Sequence, residues 1–219
     1  SATAWEAWNA GLSAATGEVM LLVDDAARLP AGWRPRLLSH FAAWADVGVV
    51  SVLGATVAAE LDAVASRFAG ERAGHHAWPL RVEAGRIAIR RAALDAIGGL
   101  DEAMGALAGT DLALRARQAG FQVRLAADCL IGATAPTRAP SAASRVAFQT
   151  RWGTDRLAPA TLRRALDRPR PPRIALPPAM PATMSLLRRV APPARAAQGD
   201  QAVPDQAPVE APREPAYTR

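Results

Sequence analysis

Apolar residues recur at helical spacing over 4–16 (AWEAWNAGLSAAT), where Trp5, Trp8 and Leu12 fall on one stripe. Gly17 follows in the place of a helix stop. The pattern then changes to an unbroken apolar run, Val19–Val23 (VMLLV), which has the length of a strand and the character of one buried on both faces. Asp24 and Asp25 end the run, and turn-forming residues lead on to Pro30-Ala31-Gly32. Helical spacing returns over 34–45, with Leu37, Leu38, Phe41 and Trp44 on a shared face. Residues 47–53 read as a second buried strand, 57–68 as a helix, and the surroundings of His75-His76 as irregular. A strand over 85–90 (GRIAIR) and a short helix over 92–97 follow, stopped by Gly98-Gly99. Thr110 is the expected N-cap of a helix over 111–119 that Gly120 ends, and 121–126 is the next strand. Ser141 is expected to open a helix towards Trp152, and 160–167 forms a last one.

Strands alternating with helices predict an α/β class, with a partial Rossmann-type, mostly parallel sheet flanked by helices. No internal repeat interrupts it. The expected division is a domain over 1–157, then a short helix and a tail rich in Pro, Arg and Ala over 158–219. Twelve of the 18 prolines lie beyond residue 160. Proline at that density removes donors and fixes φ, so the segment from 168 onward is expected to be disordered and to add nothing to the packing.

The 219 residues carry 26 basic side chains, every one of them Arg, for a formal charge of +6. Divided along the chain, 1–160 holds 16 Arg against 15 acids, while 161–219 holds ten against five. The positive charge therefore belongs to the tail, without interleaved aromatics, and nucleic acid is not an expected partner. MSLLRRV at 184–190 is too brief for more than weak membrane-surface contact. No apolar run reaches the roughly 18 residues of a membrane span, and no secretory signal opens the chain. A single Cys129 forms no internal disulfide.

The order of segments resembles family 2 glycosyltransferases of the GT-A fold. Asn9-Ala10-Gly11 with VMLLVDDAARLPAGW looks like the family's helix, buried strand, metal-binding Asp motif and Pro-Gly-Trp turn. RIAIRRAALDAIGGLDEAMG is similar to its strand, Arg-Arg and Gly-Gly-Phe/Leu-Asp-Glu segment. TDLALRARQAGFQVRLAADCL is similar to its Asp-Leu-x-x-Arg helix and following strand, and FQTRWG to its closing Phe-x-x-Lys-Trp-Gly. The match covers about 1–155. It implies transfer of a sugar from a nucleotide-diphosphate donor to a glycan or other acceptor, in polysaccharide or glycan assembly in the cytoplasm. It also implies Mg²⁺ or Mn²⁺ as cofactor. Asp24 and Asp25 would stand at the donor, Asp25 holding the metal. Asp101, Glu102 and Asp111 would be the catalytic, acceptor-side acids.

The departures fall on chemistry. The family's amino-terminal βαβ units have no counterpart, so the chain is expected to be a piece of something longer. Val23 stands where the first acid of the Asp motif belongs. Ala108 and Gly109 replace the Glu-Asp pair that holds the general base, and neither accepts a proton. Ile131-Gly132 stands where the family carries His, and His75-His76 is too far along the chain to replace it. Three readings remain open: a transferase, a catalytically inactive glycosyltransferase-like module that binds or scaffolds, or a different α/β domain in which the matching segments are coincidental.

Overall fold

A computed structural model describes residues 3–56, 60–73, 76–132 and 139–178. Thr3 caps the first helix, α1 (Ala4–Ala14), through a reciprocal pair of bonds with Glu6. Ala15, in extended conformation, ends it, so the stop comes before Gly17. Leu12 is buried, and Trp5 and Trp8 meet edge to face at 5.2 Å and pack against the same core.

Five strands follow in the order β1-β4-β2-β5-β3 across one sheet: β1 (Val19–Val23), β2 (Val47–Ala55), β3 (His76–Ala77), β4 (Arg86–Arg90) and β5 (Gln122–Gly132). Only β2 and β5 pair in parallel; β1–β4, β2–β4 and β3–β5 are antiparallel. The expected mostly parallel sheet is therefore corrected to a mixed one. Burial on both faces makes a strand uniformly apolar whichever way it runs, so VMLLV and RIAIR carry no sign of direction. A single crossover helix returns the chain to the same end of a sheet, as between parallel strands. Between β4 and β5 the chain instead forms α4 (Arg91–Ile97), a 3-10 stretch (Glu102–Leu107) and α5 (Ala108–Gln118), and the direction reverses. Since β4 is antiparallel to both of its neighbours, β1, β2 and β5 still run the same way. Their carboxyl ends share one end of the sheet.

Side chains alternate between two cores. Met20, Leu22, Val49, Ile87 and Ile89 pack with α1, α4, α5 and the later helices α6 (Ala142–Trp152) and α7 (Pro159–Ala165). Val50, Val52, Ala88 and Ile131 face Leu37 and Phe41 of α2 (Trp33–Ala42) on the other side. On α2 the predicted face is only half right. Leu38 and Trp44 are exposed, and the Arg124 guanidinium lies 4.3 Å from the Trp44 ring. The helix expected over 57–68 is α3 (Leu61–Glu71), with 57–59 outside the described residues. His75 lies outside them too, whereas His76 is in β3.

β5 continues beyond the predicted end at 126. Val52 pairs with Ala126 but Leu53 with Leu130, so 127–129 bulge out of the ladder. The bulge presents Asp128 to His40 of α2, Nε2 to Oδ1, at 2.6 Å in a buried pair. Beside it, burial and the Asp128 charge push the Cys129 thiol up to about 11. The thiolate is the reactive form, so Cys129 should resist a disulfide reagent at pH 8 in the folded protein. Full modification in denaturant checks the reagent, and rapid labelling without it would contradict this burial.

The described part falls within one compact unit, 1–182; the other, 183–219, is outside the described residues, as is the segment 184–190. Residues 168–178 are not loose, which corrects the expectation of an unpacked segment starting at 168. Ile174 donates to Ile97 O (3.1 Å) and accepts from Gly99 N (2.9 Å), while Arg173 Nε reaches Asp95 O at 2.9 Å. Gln118 holds Arg168 O at 2.7 Å and Leu176 packs against the larger core. Proline forbids helix and ladder but not an extended strap that needs only one paired residue. Gly98 makes room for it at φ +76, where a Cβ would fall on Ile174.

Candidate functional site

At the carboxyl end of β1, Asp24 leaves the strand and donates its N–H to Gly85 O at 3.3 Å. Its carboxylate lies against Gly85, where any Cβ would collide with it. Burial raises the Asp24 pKa; Arg86 opposes the rise, and Asp25 and Glu83 add to it. Asp25 is exposed in the turn that follows. Arg86 opens β4, directly across from Val23, and makes an ion pair with Glu83. Its guanidinium crosses Gly54 near the end of β2.

The loop after β1 folds back over β5. Arg28 and Gly132 exchange backbone bonds of 3.0 and 2.8 Å, and Ala31 N donates to Asp62 Oδ1 at 2.7 Å. A Cβ on Gly132 would stand 3.0 Å from Leu61 and 3.1 Å from Arg28. The position of the family's His is thus a place of close backbone approach.

The second group of acids is organised around Asp111, which is fully buried. Its Oδ2 accepts from Arg115 Nε (2.8 Å), and its Oδ1 accepts from both Arg151 Nη1 and Trp152 Nε1 (2.9 Å each). Arg115 directs Nη1 to Ile97 O and Nη2 to Gly99 O, both at 2.7 Å. Arg151 also reaches Asp101 Oδ2 at 2.6 Å. Burial would lower the Arg151 pKa, but Asp111 and Asp101 outweigh it and hold it above its ordinary value. Asp101 caps the 3-10 stretch through Ala103 N at 3.0 Å, and Glu102 beside it is exposed. The network holds two carboxylates and two guanidinium groups, so its charge closes on itself.

One segment, 82–85, connects the two groups of acids. α5 begins at Ala108 rather than after Thr110, and Thr110 is no cap: its hydroxyl accepts from Val82 N and donates to Val82 O. Gly109 lies so close to 82–84 that a Cβ would stand 2.7 Å from Ala84 N. The two groups of acids are thus tied through one segment at the end of the sheet where β1, β2 and β5 finish. They do not share the described cavity of about 550 Å³, which Met104, Arg151, Arg168 and Arg170 help to line and neither Asp24 nor Asp25 touches.

Reading the sequence missed Arg86, Glu83, Arg151 and Trp152 as parts of these groups. The Asp111–Arg115 pair had a visible signal, opposite charges four apart on a helix. Arg90 and Arg91, quoted for the resemblance, bind backbone carbonyls: Arg90 Nε reaches Val47 O at 2.9 Å, and Arg91 holds Ala15 O.

A divalent ion takes oxygen ligands from several directions. Among the described residues no group of three His, Cys, Asp or Glu is arranged to hold one. Val23 supplies no side-chain oxygen, Asp24 lies against Gly85, and the Arg86 charge already acts on it. The side chains present do not fit a resident metal ion.

Comparison with solved structures finds similar chains. The mannosyltransferase PcManGT from Pyrobaculum calidifontis, solved in complex with GDP-Man and Mn2+, matches at a TM-score of 0.42 and 22% identity over 59% of this chain. This chain spans 36% of that enzyme's length. No family model matches the sequence, and no curated protein does. Among the described residues no helix is long and apolar enough to cross a membrane.

Proposed function

We propose that the chain is a glycosyltransferase-like domain that works on a nucleotide-diphosphate sugar and a glycan or other acceptor, in polysaccharide or glycan assembly in the cytoplasm. The observation that carries this reading is a backbone tie at the end of the sheet where β1, β2 and β5 finish. Asp24 and Asp25 leave β1 there, and 82–85 ties that point to the first turn of α5. Ligands of open α/β sheets bind outside the carboxyl ends of the strands. In this reading Asp24 and Asp25 belong to the donor side, and Asp101 and Glu102 to the acceptor side. Asp111, enclosed by three donors, acts through Arg151 as a positioning residue.

A second reading, a binding or scaffolding module without turnover, has its own support. Gly109 packs on the backbone of 82–84, so the position where the resemblance expects a carboxylate has no room for one. Titration of the chain with GDP-, UDP- and dTDP-sugars, with and without Mn²⁺, tests both. Binding with release of nucleoside diphosphate supports the transferase; binding without release supports the module. In either case Asp25→Ala should weaken binding at least about tenfold, the factor that 1.4 kcal/mol represents. Unchanged affinity in that variant would remove Asp25 from the donor side.

A further inference from the structure

Arg86 differs from the other arginines around the sheet. Arg90, Arg91 and Arg115 direct guanidinium nitrogens to backbone carbonyls and so brace the fold. Arg90 also pairs with Glu18 and Arg115 with Asp111, whereas Arg86 meets acids alone among the described residues, pairing with Glu83 and acting on Asp24. Two glycines make its position possible. Gly54 lets the guanidinium cross the end of β2, where a Cβ would stand 2.6 Å from Cζ, and Gly85 admits the Asp24 carboxylate alongside. Val23, across the ladder from Arg86, contributes no charge. Residues directly opposite in an antiparallel pair present side chains to the same face, so the position with the missing acid and the guanidinium share a face.

We infer that Arg86 is a built-in counter-cation for Asp24, Asp25 and Glu83, and that it keeps divalent ions off these acids. A metal ion and a fixed guanidinium compete for the same carboxylate oxygens, and the guanidinium is already covalently in place. Replacing it by a neutral side chain takes one positive charge away from beside Asp24, on which Asp25 and Glu83 also act. The inference rests on charge and space at the strand ends and not on sugar transfer, so its failure leaves the functional reading standing.

The test is titration of the whole chain with Mn²⁺ alone, followed by electron paramagnetic resonance of the free ion. The wild type should bind weakly, and Arg86→Gln should bind about tenfold more tightly, the scale of one unit charge acting on a divalent ion a few ångströms away in watery surroundings. Arg86→Lys keeps the charge and should stay close to wild type. Asp25→Ala added to Arg86→Gln should remove part of the gain. Where Arg86→Gln does not fold, Gly54→Ala serves, because its methyl displaces the guanidinium while leaving the acids intact; it too should tighten binding. Strong Mn²⁺ binding by the wild type that Asp25→Ala abolishes would overturn the inference. So would equal affinities for wild type, Arg86→Gln and Gly54→Ala.

Discussion

Asp111→Ala should destabilise the domain by about 3–5 kcal/mol, the range for removing one partner from a buried ion pair. The methyl replaces an acceptor of three hydrogen bonds, from Arg115, Arg151 and Trp152. Arg115 suffers most. It is 1% exposed, and its other bonds go to neutral carbonyls, so its charge stays buried without a counter-ion. Arg151 keeps Asp101 and is partly exposed, so its loss is smaller. For a domain of this size the melting temperature should fall by roughly 6–20 °C, measured by circular dichroism. Asp111→Asn should cost less, because an amide oxygen still accepts from Trp152. Were Asp111 merely an acid near a helix N-terminus, its removal would cost no more than about 1 kcal/mol. A loss that small would reject Asp111 as the counter-ion that holds Arg115.

The same network shows what a linear sequence hides. Asp111 and Arg115 are one helical turn apart, and their pairing can be read from spacing. Arg151 and Asp101 come from α6 and from the loop after α4, and only packing brings them together. The bounds of β1 were legible because VMLLV ends abruptly in acids, and α6 because Ser141 caps it at one end and Gly153 closes it at the other. Strand direction was not, since apolar runs buried on both faces look alike whichever way they point. Nor was the bulge at 127–129, whose Asp128 resembles the end of a strand until His40 is found opposite it. Thr110 has the composition of a cap, but its hydroxyl serves Val82. Of the candidate site, the acids could be picked out from the resemblance. The guanidinium groups that hold them could not, because an arginine reads the same whether it faces solvent, a carbonyl or a carboxylate.

Two truncations should give different melting temperatures for the same reason. A chain stopped after Asp167 lacks the strap, and a chain stopped after Pro178 retains it, so their difference measures residues 168–178 alone. The shorter chain loses the two Ile174 bonds, the Arg173–Asp95 bond, the Gln118–Arg168 bond and the packing of Leu176. These bonds and the packing of Leu176 hold the segment against its conformational entropy, so the shorter chain should melt lower. A gap of a few degrees is expected, about 2–4 °C for each kcal/mol lost. The effect should also be local. Gly99 N loses its acceptor, and the segment that supplies carbonyls to Arg115 loses its cover, so amide exchange should quicken first at 97–100. Equal melting of the two chains would mean that the strap lies on the domain without holding it. A gap of the expected size, with exchange quickening at 97–100, would make the proline-rich segment a structural clamp on the loop that anchors Arg115.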